Sequence, residues 1–123
     1  MASKKRALIV DDNRTCRLAL DKILTKAGFE TIQAEDGKAG LEAYSQQDFD
    51  IIFLDIVMPE IDGLEALRAI RETSSREELP VYVVSSKDTV FDREQAEIAG
   101  ANGYFLKPIE KTALEKELTS IFS

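Results

Sequence analysis

Five polar side chains of this 123-residue chain stand at the ends of short apolar runs. The runs have the residue types of strands, and each is too short for a helix. The polar side chains that follow them are Asp11, Asp12, Asp55, Ser85 and Lys107. The carboxyl ends of parallel strands lie at one edge of a sheet, where ligands bind in open α/β proteins. We therefore expect these five side chains to form one cluster.

Three carboxylates in one cluster favour a divalent cation. Two like charges about 4 Å apart repel by about 4 kcal/mol at an effective dielectric constant near 20, and each raises the pKa of the other. Oxygen ligands without histidine or cysteine favour Mg²⁺, with Mn²⁺ as a second candidate. The sequence therefore predicts a Mg²⁺ site at Asp11, Asp12 and Asp55.

Such a cation would make Asp55 a nucleophile for phosphorus, as in enzymes that form an aspartyl phosphate. Transfer of a phosphoryl group requires that the charge on its equatorial oxygens be neutralised. The cation, the Lys107 ammonium and the Ser85 hydroxyl can supply that stabilisation. The cluster therefore predicts phosphoryl transfer to Asp55.

The elements that must position this cluster alternate along the chain, which predicts a doubly wound α/β fold with a five-stranded parallel sheet and helices on both faces. The predicted strands are residues 7–10, 29–34, 51–54, 81–84 and 104–106. The first predicted helix follows a cap at Asn13 and ends before Gly28, and the second begins over residues 39–44. The remaining predicted helices are residues 64–70, 90–99 and about 109–121. No repeat or linker interrupts the pattern, so we expect one domain over residues 1–123.

Composition restricts the function further. The net charge of −7 argues against direct binding to nucleic acid, because phosphate backbones repel an acidic protein. The chain contains no histidine, which excludes histidine-based catalysis and a phosphohistidine carried by this chain. Cys16 cannot form an internal disulfide, and its place on an apolar helical stripe predicts burial in the core. Without a signal-peptide pattern or an apolar run of about 20 residues, we expect a cytoplasmic protein with no membrane insertion.

Four motifs carry a resemblance to a known family. They are V-D-D at 10–12, L-D-I-V-M-P-E-I-D-G at 54–63, V-V-S-S at 83–86 and G-Y-F-L-K-P at 103–108. In these motifs and in the intervals between them, the chain resembles the receiver domain of two-component response regulators. The resemblance implies a flavodoxin-like (βα)5 fold with sheet order 2-1-3-4-5. It also implies a cis Lys107–Pro108 bond, which proline makes accessible.

The resemblance also implies roles for the residues of the cluster. Asp55 accepts a phosphoryl group from a phosphohistidine of a sensor histidine kinase or a histidine phosphotransfer protein. Asp11 and Asp12 hold Mg²⁺ together with Asp55, and the carbonyl of Val57 completes the metal site.

Three further residues would couple phosphorylation to the surface. By the resemblance, Ser85 moves to bond the phosphoryl oxygens, Lys107 forms the charge pair, and Tyr104 is an aromatic switch that turns inward. The surface of the fourth helix, fifth strand and fifth helix then changes and meets a downstream target protein or another copy. The protein would be a signalling phosphoacceptor rather than an enzyme, either monomeric or dimeric on phosphorylation. It could act alone or as a domain of a longer regulator.

Several of these residues have simpler interpretations. Asp11 and Asp12 could cap the helix that follows them. Tyr104 could be an edge-strand aromatic that packs on the last helix. Ser86 competes with Ser85 for the hydroxyl role, although the interval from the acceptor favours Ser85.

Two neighbours of the cluster are expected to tune the lifetime of an aspartyl phosphate. Val57 has no polar side chain to orient an attacking water, which would slow hydrolysis. Lys87 would place a cation at the mouth of the site, or it is an ordinary exposed lysine.

Other function classes share parts of the pattern. A flavodoxin-like electron carrier needs a Ser/Thr/Gly-rich phosphate loop after the first strand, where this chain has Asp11 and Asp12. A haloacid-dehalogenase-type phosphatase needs a second aspartate two residues after the nucleophile, where this chain has Val57. The remaining alternative is a receiver-like interaction module that takes no phosphate.

Overall fold

The computed structural model describes residues 4–58, 62–87 and 89–122, which form a parallel sheet flanked by helices. The strands are β1 (Arg6–Val10), β2 (Glu30–Ala34), β3 (Ile51–Leu54), β4 (Val81–Ser85) and β5 (Gly103–Leu106). The helices are α1 (Arg14–Lys26), α2 (Gly37–Gln46), α3 (Gly63–Arg71), α4 (Val90–Ala99) and α5 (Lys111–Phe122). The sheet order is β2-β1-β3-β4-β5, with every pair parallel. The predicted α/β fold and strand order are confirmed.

Both faces of the central strands are buried, which explains their continuous apolar sequences. Alternate side chains of β3 point to opposite faces, so Ile52 and Leu54 join the core beneath α2, α3 and α4. Ile51 and Phe53 join the core beneath α1 and α5. A shift of one residue would exchange the two sets, so the two cores together fix the register of the strands.

Side-chain caps begin four of the helices and so fix where the strand-to-helix loops end. A side-chain oxygen of the residue before each helix accepts the backbone N–H three positions further along, which satisfies a donor that the helix leaves free. The capping residues are Asn13 for α1, Asp36 for α2, Asp62 for α3 and Thr89 for α4. Each of these caps lies on the same edge of the sheet as the predicted cluster.

Gly63 allows α3 to begin against the end of β3. A Cβ atom at this position would lie 2.0 Å from the carbonyl oxygen of Asp55 and 2.6 Å from the Cα of Ile56. Both are backbone atoms, so no rotamer change can make room. The glycine therefore lets the chain return to the strand end that carries Asp55.

Two details complete the fold at this edge. The Lys107–Pro108 bond is cis, as the resemblance implied. Ser85 is the last residue of β4 and is fully buried, whereas the predicted strand ended one residue earlier.

None of the helices among the described residues has the length and apolar character needed to cross a membrane.

Replacing Gly63 by alanine should lower the free energy of unfolding by about 1–3 kcal/mol, the usual cost of overpacking. In an unobstructed helix the same change would stabilise by up to about 1 kcal/mol, because alanine is the better helix former. Urea denaturation followed by circular dichroism measures the difference. Arg68→Ala, an exposed position of α3, is the control and should change stability by less than about 0.5 kcal/mol. A Gly63→Ala protein as stable as the parent would show that α3 is not packed against β3 in this way.

Candidate functional site

The backbone ladder places polar residues side by side at the carboxyl-terminal edge of the sheet. The N–H of Asp55 donates to the carbonyl of Val10 at 2.9 Å, so Asp11, which follows β1, lies beside Asp55. Across β4, the N–H of Lys107 donates to the carbonyl of Ser85 at 2.8 Å. Parallel pairing thus extends beyond the strands and brings their terminal residues together.

Three carboxylates meet at this edge. Asp11, Asp12 and Asp55 each offer an oxygen, and these oxygens all lie within 4.8 Å of one another. Asp11 and Asp55 are each only 4% exposed, whereas Asp12 is exposed. The two buried carboxylates each accept a backbone N–H, Asp11 from Asn13 at 2.9 Å and Asp55 from Val57 at 3.1 Å. The arrangement therefore has two fixed carboxylates and one that faces solvent.

Lys107 is shared between the two buried carboxylates. Its Nζ lies 2.7 Å from Oδ2 of Asp11 and 3.3 Å from Oδ2 of Asp55. At an effective dielectric constant near 20 these contacts correspond to Coulomb attractions of about 6 and about 5 kcal/mol, against at least about 3.5 kcal/mol of repulsion for two carboxylate oxygens no more than 4.8 Å apart. One ammonium therefore offsets the repulsion between the buried pair.

The charge that remains fits a divalent cation. Three carboxylates and one ammonium leave two negative charges in a space lined by oxygen atoms. Hard cations such as Mg²⁺ prefer oxygen ligands and are commonly held by one or two carboxylates with water and phosphate oxygens. By donor type, separation and charge, the residues fit Mg²⁺.

The pKa values of Asp55 and Lys107, which form an ion pair at this edge, are both raised. Burial raises the pKa of the Asp55 carboxyl, and the N–H of Val57 and the charge of Lys107 only partly oppose the shift. Burial lowers the pKa of Lys107, but its hydrogen bond to Asp11 and the charge of Asp55 outweigh that effect and raise it overall. Lys107 is therefore a protonated ammonium, and burial makes the Asp55 carboxyl hold a proton more tightly than an exposed aspartate does.

Ser85 and Tyr104 both bind the main chain of Lys87. The Ser85 hydroxyl accepts the N–H of Lys87 at 3.1 Å, and the Tyr104 hydroxyl donates to the carbonyl of Lys87 at 2.5 Å. Ser86, the competing hydroxyl, is exposed. The Tyr104 ring lies under the guanidinium of Arg93 from α4, 4.8 Å from the ring centroid. Tyr104 does lie on an edge strand, as the simpler interpretation expected, but its partly buried ring packs against the core on the α4 side of the sheet rather than on the last helix.

The two residues predicted to tune the site are both at its surface. Val57 is 48% exposed and its side chain is apolar, although its N–H is bound to Asp55. Lys87 is exposed, with its main chain fixed as described. Their positions leave the tuning hypothesis open to test.

Cys16 is partly exposed, so its predicted burial in the core is wrong. It lines a small cavity of about 150 Å³ that also touches Asp11, Lys107 and Pro108. The stripe position of Cys16 therefore borders an open cavity beside the acidic edge of the sheet.

Sequence patterns gave no indication of Arg17. Its Nη1 donates to the backbone carbonyl of Asp11 at 2.7 Å, and its Nε donates to the Gln33 side chain at 3.3 Å. An arginine one turn into a helix is an ordinary surface residue by periodicity alone. The contact is visible only in the structure, where the Arg17 side chain reaches back to the loop after β1.

Comparisons with known proteins agree with this geometry. Residues 7–119 match the family model described as the response regulator receiver domain. Protein PilG of Pseudomonas aeruginosa is 35% identical over 109 residues, which are 89% of this chain and 81% of PilG. The structure of Vibrio cholerae chemotaxis protein CheY4 is similar with a TM-score of 0.89 at 28% identity, covering 98% of this chain and all of that one.

A second solved structure is a complex described as CheX-CheY-BeF3-Mg from Borrelia burgdorferi. Its matching chain has a TM-score of 0.87 at 30% identity, covering 97% of this chain and 90% of that chain. The family model covers nearly the whole sheet and every residue of the acidic edge. Because sequence, fold and site lead to the same group, this chain belongs to the receiver domain family of two-component response regulators.

Proposed function

We propose that Asp55 accepts a phosphoryl group from a phosphohistidine of a sensor histidine kinase or histidine phosphotransfer protein. The observation that carries the proposal is a buried Asp55 carboxylate that shares the Lys107 ammonium with Asp11, beside an exposed third carboxylate. Residues 1–123 would act together as one receiver domain, in line with the family match. The protein would be phosphorylated stoichiometrically, so it is a signalling phosphoacceptor rather than an enzyme with a separate substrate.

The Asp55 carboxylate would act as the nucleophile. One of its oxygens accepts the N–H of Val57 and the other lies against Lys107, so both are oriented before a donor arrives. An oxygen lone pair forms the bond to phosphorus, and the bond from phosphorus to the imidazole nitrogen breaks with its electron pair returning to the ring. Burial strips water from the carboxylate and so keeps the reacting oxygen available to the donor.

Asp11, Asp12 and Asp55, with the backbone carbonyl of Val57, would hold Mg²⁺, and Mn²⁺ is the alternative cation. The fit of donor type, separation and charge supports this assignment, as does the Mg named with the Borrelia complex. When bound, the cation supplies charge neutralisation for the phosphoryl oxygens. Lys107 would supply a second positive charge and Ser85 a hydroxyl donor to those oxygens.

The signal would leave the site through the segment between β4 and α4. Ser85 accepts the N–H of Lys87 and Tyr104 donates to the carbonyl of Lys87, so movement of the serine hydroxyl toward a phosphoryl oxygen would release the first of those bonds. Phosphorylation would then bias Tyr104 and α4 between two arrangements, as other local charge switches do.

The partner that responds to that signal would be a downstream protein or another copy of this chain. Helix α4 carries large apolar side chains in solvent, with Val90 72%, Phe91 67% and Ile98 78% exposed. Exposed apolar groups of this kind are typical of protein contact sites. The protein would accordingly be monomeric, or dimeric on phosphorylation.

Incubation with acetyl phosphate and Mg²⁺ should add one phosphoryl group, about 80 Da by its atoms, to the intact mass. The gain should vanish in Asp55→Asn and in the presence of EDTA. Asp48→Asn is the matched control, because Asp48 is exposed and lies before β3, and it should retain the gain. An unmodified parent protein, even with a phosphohistidine donor, would favour the phosphate-independent interaction module instead.

Replacing Lys107 by methionine should lower the free energy of unfolding in EDTA by about 2 kcal/mol. The substitution leaves Asp11 and Asp55 buried without their cation, and loss of one partner is the costly way to break a buried ion pair. Urea titrations give the value, and added Mg²⁺ should recover part of it. Lys111→Met, at the exposed start of α5, should be neutral. Equal stability of the Lys107→Met and parent proteins would mean that the shared ammonium contributes nothing to the fold.

Val57→Asn should shorten the lifetime of the phosphorylated protein by about fivefold to tenfold. A polar side chain here would orient the attacking water through one hydrogen bond, worth about 1 kcal/mol net. The decay of the added mass after removal of acetyl phosphate measures the rate. Val57→Ala, which adds no polar group, is the control. An unchanged decay rate in Val57→Asn would refute the tuning role.

A further inference from the structure

The backbone carbonyl of Asp11 is held from the side by Arg17. The arginine lies in the first turns of α1, and its Nη1 donates to that carbonyl at 2.7 Å while its Nε donates to the Gln33 side chain at 3.3 Å. A guanidinium is planar with its donors in fixed directions, so two bonds to different elements set its orientation. Gln33 lies on β2. The two hydrogen bonds of Arg17 therefore join α1, β2 and the loop after β1.

Arg17 acts on the peptide that joins Asp11 to Asp12. The carbonyl of Asp11 and the N–H and Cα of Asp12 belong to one rigid peptide plane, so fixing the carbonyl fixes the plane from which Asp12 projects and restricts where its side chain can go. Asp11 itself is already held at its side chain, by Lys107 at 2.7 Å and by the N–H of Asn13 at 2.9 Å. Arg17 adds a hydrogen bond that fixes the peptide plane between Asp11 and Asp12.

Asp12 needs such support more than the other two carboxylates. Among the residues that the structure describes, no hydrogen bond or ion pair holds the Asp12 side chain, and it is exposed. Its oxygen nevertheless lies within 4.8 Å of those of Asp11 and Asp55. Its position therefore depends on the backbone from which it projects.

We propose that Arg17 is a positioning residue for the divalent cation site, acting through the Asp11–Asp12 peptide to pre-orient the Asp12 carboxylate. The inference rests on the Mg²⁺ site of the proposed function. It concerns the affinity for the metal alone and does not require that Asp55 be phosphorylated. Partners that orient metal ligands in this way commonly contribute a factor of 10–100 in affinity.

The sign of the effect separates this role from simple electrostatics. Arg17 carries a positive charge near the site, so removing it by charge alone would strengthen the binding of a cation. Loss of pre-orientation would weaken binding instead, because the peptide must then be ordered when the metal arrives. The two explanations predict opposite changes in affinity.

Isothermal titration calorimetry with Mg²⁺ on the intact chain, at fixed ionic strength, tests the proposal. Arg17→Met, which keeps an apolar stem, should raise the dissociation constant about tenfold. Arg14→Met is the matched control, since it removes the same charge from an exposed position of α1, and it should leave the constant unchanged or slightly lower. The dissociation constant of Arg17→Lys should lie between those of Arg17→Met and the parent, because an ammonium can reach one acceptor but lacks the planar fork. Gln33→Met removes only the hydrogen bond between Arg17 and Gln33, so it should weaken Mg²⁺ binding by less than Arg17→Met.

Hydrogen exchange of the metal-free protein gives an independent readout. The amide of Asn13, which donates to Oδ1 of Asp11 at 2.9 Å, should exchange faster in Arg17→Met than in the parent, while the amides of β3 should not. If Arg17→Met were less stable in urea but had an unchanged Mg²⁺ dissociation constant, Arg17 would have only a structural role and the proposal would be wrong. Tighter Mg²⁺ binding by Arg17→Met, or a parent protein that binds no Mg²⁺, would also overturn it. A parent that binds Mg²⁺ with the expected Arg17 effect but takes no phosphoryl group would leave this inference standing and refute the proposed function.

Discussion

Repulsion among three carboxylates at one sheet edge is the constraint on which the rest of this structure depends. Apolar side chains on both faces of β1 and β3 fix the register, and that register sets Asp11 beside Asp55. The carboxylates cannot separate without breaking the ladder or exposing the core. Lys107 relieves the conflict between the buried pair and leaves a net negative charge. The site is therefore built to attract a cation, and the cation and the ammonium together suit it to a phosphoryl group.

The same edge is connected to the surface of the molecule through the main chain of Lys87. Ser85 at the end of β4 and Tyr104 on β5 hold opposite sides of the Lys87 main chain. Arg93 of α4 covers the tyrosine ring, and α4 carries large exposed apolar side chains. Ser85 and Tyr104 lie on strands that are neighbours in the sheet. Under the proposed function, a change at the serine would therefore reach α4 through few contacts.

The sequence predicted what backbone physics controls. The bounds of β3 and α4 agree with the prediction, because a doubly buried strand and a helix closed by glycine have strong local signals. The strand order came from the resemblance, since periodicity alone does not rank the neighbours in a sheet. Contacts that depend on long side chains were not predictable: the sharing of Lys107, the return of Arg17 to Asp11, and the side of the sheet on which Tyr104 packs. Cys16 was misjudged because a helical stripe does not show where a helix borders an open cavity.

The most direct test of the account is to locate the phosphoryl group on the chain. Reduction of the phosphorylated protein with borohydride converts an acyl phosphate to an alcohol, and peptide mass spectrometry then identifies the altered aspartate. The account predicts homoserine at position 55 and unaltered aspartate at positions 11 and 12, because it assigns Asp11 and Asp12 to the metal and places the nucleophile at Asp55, which follows the central strand β3. Modification of Asp11, Asp12 or an aspartate outside the cluster would contradict the account, whatever the total mass gained.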